Sequence, residues 1–249
     1  MLECGVGSAL REARGVRFGV VVFPGTNCEQ ETVRVLRDLY HQPTELLWHA
    51  SEDLSGIDCV VLPGGFAHGD YLRAGAIARF SPIMRAVERF ARAGGLVWGI
   101  CNGFQILLEA GLLPGAMRRN VGLRFRCQWV HVRVEHTRSP FTAACRPGQV
   151  LRLPIAHGEG NYYAPPELLA RLEARGQILL RYCDAAGHVT PAANPNGSVA
   201  NVAGLASEGG NVFALMPHPE RAAEALLGGT DGRWLFDSVL GKVGLVATV

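Results

Sequence analysis

One stretch constrains the whole chain: Leu96-Val-Trp-Gly-Ile-Cys-Asn-Gly-Phe-Gln-Ile-Leu-Leu-Glu-Ala-Gly111. Leu96 to Ile100 is a short apolar run, the mark of a buried strand. Phe104 to Ala110 reads as helix, and Gly111 with Pro114 supplies its stop. Cys101 falls in the turn between them, with Gly99 and Gly103 two residues away on each side. This is the pattern of a nucleophile elbow with Cys in place of Ser. A sharp strand-to-helix turn needs small neighbours, because side chains there collide with the returning backbone. It puts a nucleophile at the tip of a sheet, above a helix N-terminus whose positive dipole end favours thiolate over thiol. The bland alternative is an inert buried thiol. The coincidence of strand, Gly-x-Cys-x-Gly and helix weighs against it.

The flanking sequence repeats the strand-helix alternation. Arg17 to Phe23 is a largely apolar strand, Pro24 to Asn27 a turn, and Cys28 to Tyr40 has helical spacing. Glu45 to Trp48 and Cys59 to Leu62 are further strands, the latter ending at Pro63-Gly64-Gly65, and a helix is expected from Ala76 to Ala93. Such alternation predicts a parallel sheet covered on both faces. Ligands bind such sheets off the carboxyl ends of the strands. Pro24-Gly25, Gly64-Gly65 and Cys101 all lie at carboxyl ends and so share one rim. From Val121 the texture changes. Phe125 to Val134 alternates like antiparallel strand, and Leu151 to Ile155, Ile178 to Cys183 and Val212 to Met216 are further strands. Gly232 to Leu240 reads as a closing helix. The expectation is an extension over residues 1–15 and one α/β domain over 16–249, mainly parallel with an added antiparallel part.

With 249 residues, 48% hydrophobic and 18% charged, a full core is possible. The net charge of +2 gives no nucleic-acid stripe, and Arg118-Arg119 is a pair rather than a patch. Seven cysteines contain no Cys-x-x-Cys, so no metal is expected, and a reducing cytoplasm fits this usage. Neither a signal peptide nor a membrane-length apolar run is expected. No P-loop and no Gly-x-Gly-x-x-Gly follows a strand, so no cofactor is expected in this chain.

A nucleophilic Cys needs a base, and the base an orienting group. Of eight histidines, His218 follows a strand and lies in Met-Pro-His-Pro-Glu-Arg. Pro219 pushes it toward extended backbone, where residues two apart share a side. Glu220 can then fix the imidazole while the other ring nitrogen faces the thiol. His68 and His157 sit in glycine-rich loops, where lining the site and lying on a polar surface are both open. Cys28 is the rival nucleophile, since it too follows a strand and opens a helix. It lacks flanking glycines and has Glu29 and Glu31 beside it, which disfavour a thiolate.

These residues resemble the class I (triad) glutamine amidotransferases, with a flavodoxin-like three-layer fold. The likeness is closest to the glutaminase subunits of phosphoribosylformylglycinamidine synthase. It rests on Phe23 to Glu29, Pro63 to Ala78, Gly99 to Gln105, Pro154 to Gly160, Asn194 to Ser198 and Met216 to Arg221, and departs at Gln128, where a basic residue is expected. The resemblance implies Cys101 as nucleophile, His218 and Glu220 as its partners, backbone N–H groups of Gly65 and Asn102 as oxyanion donors, and Gln105 and Phe66 seating glutamine. It implies that ammonia passes to a synthetase subunit, which uses ATP and Mg to convert formylglycinamide ribonucleotide to its amidine in purine biosynthesis, with a small accessory subunit in the complex. The alternatives are a glutaminase subunit of another amidotransferase, a catalytically silent binding subunit, and a Cys-elbow stress protein without a triad.

Overall fold

The computed structural model describes residues 15–245. The extension expected over residues 1–15 lies outside them, save for Gly15. The described chain is built on a nine-stranded sheet. Its strands are β1 (Phe18–Val22), β2 (Thr44–Trp48), β3 (Cys59–Leu62), β4 (Leu96–Ile100), β6 (Arg126–Val134), β7 (Val150–His157), β9 (Ile178–Cys183), β10 (Val202–Ala206) and β11 (Val212–Leu215). They lie in the order β2-β1-β3-β4-β11-β10-β9-β6-β7. The five from β2 to β11 are mutually parallel, and the last four run antiparallel to their neighbours. A separate antiparallel pair joins β5 (Ala116–Arg118) to β8 (Asn161–Tyr163).

The apolar runs that predicted central strands are buried throughout. Every residue of β3 and β11 is buried, as a parallel strand covered on both faces requires. The covering helices are α1 (Glu29–Val33), α2 (Pro82–Arg92), α3 (Asn102–Glu109), α4 (Pro166–Ala174) and α5 (Arg233–Leu245). Trp98 of β4 is fully buried, its ring 4.9 Å from that of Phe236 and 5.9 Å from that of Phe141.

Three differences from the sequence expectation have local causes. Cys28 to Tyr40 is a short α1 that widens into a π-helical turn over Arg34–Leu39, where Tyr40 N–H reaches Val35 O at 3.0 Å. The helix expected from Ala76 is cut at Ser81, since Pro82 starts α2 and forces its predecessor into extended backbone. α4 and β10 give little sequence signal. α4 buries only Leu172, and the apolar run of β10 is interrupted by Gly204, where a Cβ would stand 3.2 Å from Ala214 O.

Strand register brings the rim together. Leu62 of β3 pairs with Gly99 of β4, and Leu215 of β11 with Ile100 of β4. All three strands therefore stop level, releasing Pro63-Gly64-Gly65, Cys101 and Met216-Pro217-His218 side by side. Cys101 N–H donates to Leu215 O at 2.8 Å, locking the elbow to the strand that leads to His218.

Candidate active site

Cys101 sits at φ 51°, ψ −102°, backbone that a side-chain-bearing residue rarely adopts. The glycines explain how the turn closes. A Cβ on Gly99 would stand 2.7 Å from Leu107 Cδ1 and 2.9 Å from the Gly103 carbonyl, and one on Gly103 would stand 2.8 Å from the Leu62 carbonyl carbon. α3 starts at Asn102, whose backbone N–H, in the first turn, has no carbonyl to meet within the helix. The Cys101 thiol is 3.7 Å from Ala156 O of β7.

His218 is buried on extended backbone, its N–H donating to Pro154 O at 2.8 Å. Its Nδ1 lies 2.5 Å from Glu220 Oε1, and both side chains are sealed from solvent. The pairing is the expected one, but its route is not an extended chain. Pro219 opens a 3₁₀ turn over Pro219–Ala222 that swings the carboxylate under the ring. Burial, the largest single influence, pulls the His218 pKa down, but the Glu220 carboxylate and the Cys101 and Cys28 sulfurs together outweigh it, and the pKa stands well above its ordinary value. Among the described residues, His218 Nε2 has no nitrogen or oxygen hydrogen-bond partner. A buried imidazole aligned by a carboxylate, coupled to a thiol on a strained elbow, can run nucleophilic acyl transfer.

Gly65 holds the third element. Its φ is +147°, and a Cβ would lie 2.8 Å from Asn27 N and from Thr26 Cα, so the loop admits only glycine without distortion. Cys28 N–H to Gly64 O (3.2 Å) and Phe66 N–H to Gly25 O (3.0 Å) engage the neighbours of Gly65, leaving its own amide out of the pairing. Phe66 stands on the rim, about half exposed.

Side chains tie these loops together. Asn102 Oδ1 accepts from Ala67 N–H at 3.0 Å, and its Nδ2 donates to Asp70 Oδ1 (3.0 Å) and Gln105 Oε1 (2.8 Å). Gln105 Nε2 donates to Glu159 O at 2.6 Å. Both ends of the Gln105 amide are thus engaged by the chain itself, which makes it a brace between the elbow and the 158–160 loop. Burial, with Glu159 adding to it, pushes the Asp70 carboxyl up to about 6. Asp70 and Glu159 give no sequence pattern of their own, and only the fold brings them to the elbow.

The two open histidines part ways. His157 ends β7 and is buried between Asn120 Oδ1 (3.2 Å from Nδ1) and Asn196 Nδ2 (3.5 Å from Nε2), so a surface role is ruled out. Burial, reinforced by His218, depresses it to about 4. His68, at φ 54°, places Nε2 3.3 Å from Ser81 Oγ and its ring 5.3 Å from that of His49, outside the triad. Cys28 is buried, and its thiol approaches His218 and Glu220. Burial raises its pKa, and Glu220 adds to the rise, rather than the Glu29 and Glu31 that the sequence suggested.

This arrangement has a known class. Residues 15–229 match the CobB/CobQ-like glutamine amidotransferase domain. A protein of Moorella thermoacetica described as phosphoribosylformylglycinamidine synthase subunit PurQ is 62% identical, over 90% of this chain and 95% of its own length. The subunit of the same description from Salinibacter ruber is 57% identical, over 93% of this chain and 98% of its own. A chain in the structure of PurLQS from Thermotoga maritima superposes with a TM-score of 0.82 at 40% identity, covering 92% of this chain and 99% of that one. The chain belongs to the family of PurQ glutamine amidotransferase subunits.

Proposed function

We propose that this chain is the glutaminase subunit of a phosphoribosylformylglycinamidine synthase. The carrying observation is that three level strand ends set Cys101, Gly65 and the buried His218–Glu220 pair on one rim. Cys101 sulfur attacks the side-chain amide carbon of glutamine. The oxygen of the tetrahedral adduct is held by the N–H groups of Gly65 and Asn102. His218 gives its proton to the departing nitrogen, which leaves as ammonia, and a γ-glutamyl thioester remains on Cys101. His218 then takes a proton from water, which cleaves the thioester to glutamate and restores the thiol. Glu220 holds the ring through both steps. Phe66 seats the substrate, with Gln105 as brace.

Ammonia goes to a synthetase subunit, where ATP and Mg activate the ribonucleotide, and an accessory subunit completes the assembly in the cytoplasm. The names of the relatives support this reading, as do the rim's exposed apolar side chains. Tyr71, Leu72, Val121, Leu123 and Phe125 all stand more than half exposed on loops that meet at Glu159, Gly158 and Asn196. Apolar side chains gathered around a site mark a docking surface. No helix among the described residues is long and apolar enough to cross a membrane.

The test is glutamate release with and without the synthetase, ATP and ribonucleotide. The partner is expected to raise the rate by orders of magnitude, while free ammonia supports the synthetase without this chain. Equal rates would mean that the site is complete alone.

A further inference from the structure

Against His218 and Glu220 lies one buried side chain to which the acyl-transfer chemistry gives no use, the Cys28 thiol. The Cys28 sulfur, a ring nitrogen of His218 and a carboxylate oxygen of Glu220 all lie within 4.8 Å of one another, and all three residues are buried. Among the described residues, two buried atoms of this set, His218 Nε2 and Glu220 Oε2, have no hydrogen-bond partner. We propose that Cys28, His218 and Glu220 form an inhibitory Zn²⁺ site, and that an ion held there silences the glutaminase by occupying His218.

Thiolate, imidazole and carboxylate are all zinc ligands, and three protein donors with a water in the fourth place make a complete tetrahedron. Two anionic ligands cancel the charge of the ion, so the buried cluster is neutral overall. Zinc holds its donors at roughly 2.0–2.3 Å, which sets them about 3.5 Å apart, so no pair has to close by more than about 1 Å, a side-chain adjustment. Cys28 gives up its proton to solvent as the ion binds. Arg221 Nη2, 3.2 Å from the Cys28 sulfur, favours the thiolate, and Glu31 at 3.1 Å already holds that guanidinium to one side. A cavity of about 540 Å³, lined by Glu31, Ala156, Glu220 and Arg221, offers the ion an approach to Glu220. Cys101 with His218 alone would offer two donors, and Cys28 makes the difference. Sequence spacing gives no hint of this site, because Cys28 and His218 are brought together only by the fold.

The inhibitory consequence rests on His218 being the base, whereas the binding does not, and two measurements separate them. Full-length chain is titrated with Co²⁺, whose thiolate charge-transfer absorption reports a sulfur ligand. The band should persist in Cys101→Ala and vanish when Cys28→Ala is added. No band in the wild type, or its loss in Cys101→Ala alone, overturns the site. In the complex with its synthetase, Zn²⁺ should suppress glutamine-dependent but not ammonia-dependent synthesis. Measured against its own metal-free rate, Cys28→Ala should need about tenfold more Zn²⁺, or beyond, for half inhibition. Unchanged zinc sensitivity overturns the proposal. Should Cys28→Ala fold poorly, Cys28→Ser preserves size and polarity while offering zinc a far weaker ligand, and the same outcomes apply.

Discussion

His218 Nδ1 and Glu220 Oε1 meet at 2.5 Å with neither side chain reaching solvent. Burial works against a charged imidazole, and the carboxylate together with the Cys101 and Cys28 sulfurs overcomes it. Glu220→Gln keeps the shape and removes the charge. Its glutaminase kcat should fall about 10²- to 10⁴-fold, the span of general acid–base catalysis. A pKa raised above the ordinary 6.5 gives the fold stability that is fully present below pH 6.5 and fades as pH rises through the folded value. That fade should be smaller in Glu220→Gln. Near-native kcat in the variant would remove Glu220 from the mechanism.

Cys101 and His218 should behave as one unit. Each alanine variant should lose nearly all glutamine hydrolysis, and the double variant should be hardly worse than either, because losses within a catalytic unit do not add. Kinetics on the three variants check this. Multiplying defects would mean two independent contributions.

His157 makes the opposite pH prediction to His218. Its folded pKa of about 4 lies below the ordinary 6.5, so the unfolded chain binds the extra proton first as acid is added. Its contribution is present above pH 6.5 and lost as pH falls toward 4, amounting to about 3 kcal/mol over that window. Denaturant unfolding at a series of pH values, wild type against His157→Gln, isolates it. A difference between the two proteins that stays flat from pH 6.5 to 4 would contradict the assignment.

Gly65→Ala should act on the oxyanion loop. The new methyl meets backbone on two sides at 2.8 Å, so the loop must move. Glutamine hydrolysis should fall about 10²- to 10³-fold, as for loss of one oxyanion donor, while ammonia-dependent synthesis by the complex stays intact. Unchanged kcat would show that the Gly65 amide takes no part.

The parts of the site legible in the sequence are those that local geometry dictates. The elbow is written in Gly99, Cys101 and Gly103, because only small neighbours fit where their Cβ positions collide. Pro219 after His218 marks the base, although the carboxylate arrives through a 3₁₀ turn rather than an extended chain. Contacts that depend on long-range packing were illegible. Nothing near Cys28 signals that His218 and Arg221 lie against it. The burial of His157 comes from Asn120 and Asn196, which lie on other segments. β10 gives a weak signal because Ala203, Gly204 and Ala206 dilute Val202 and Leu205, leaving little of the β-branched texture that marks buried strands.

Cys101 carries the acyl group in this mechanism, and Cys28, the second thiol near His218, does not. A glutamine analogue with an electrophilic carbon in place of its amide forms a stable bond with the attacking thiol. Peptide mapping by mass spectrometry after reaction of the complex locates that bond. Modification of the peptide bearing Cys101, absent in Cys101→Ala and retained in Cys28→Ala, is the predicted result; modification at Cys28 would contradict the account.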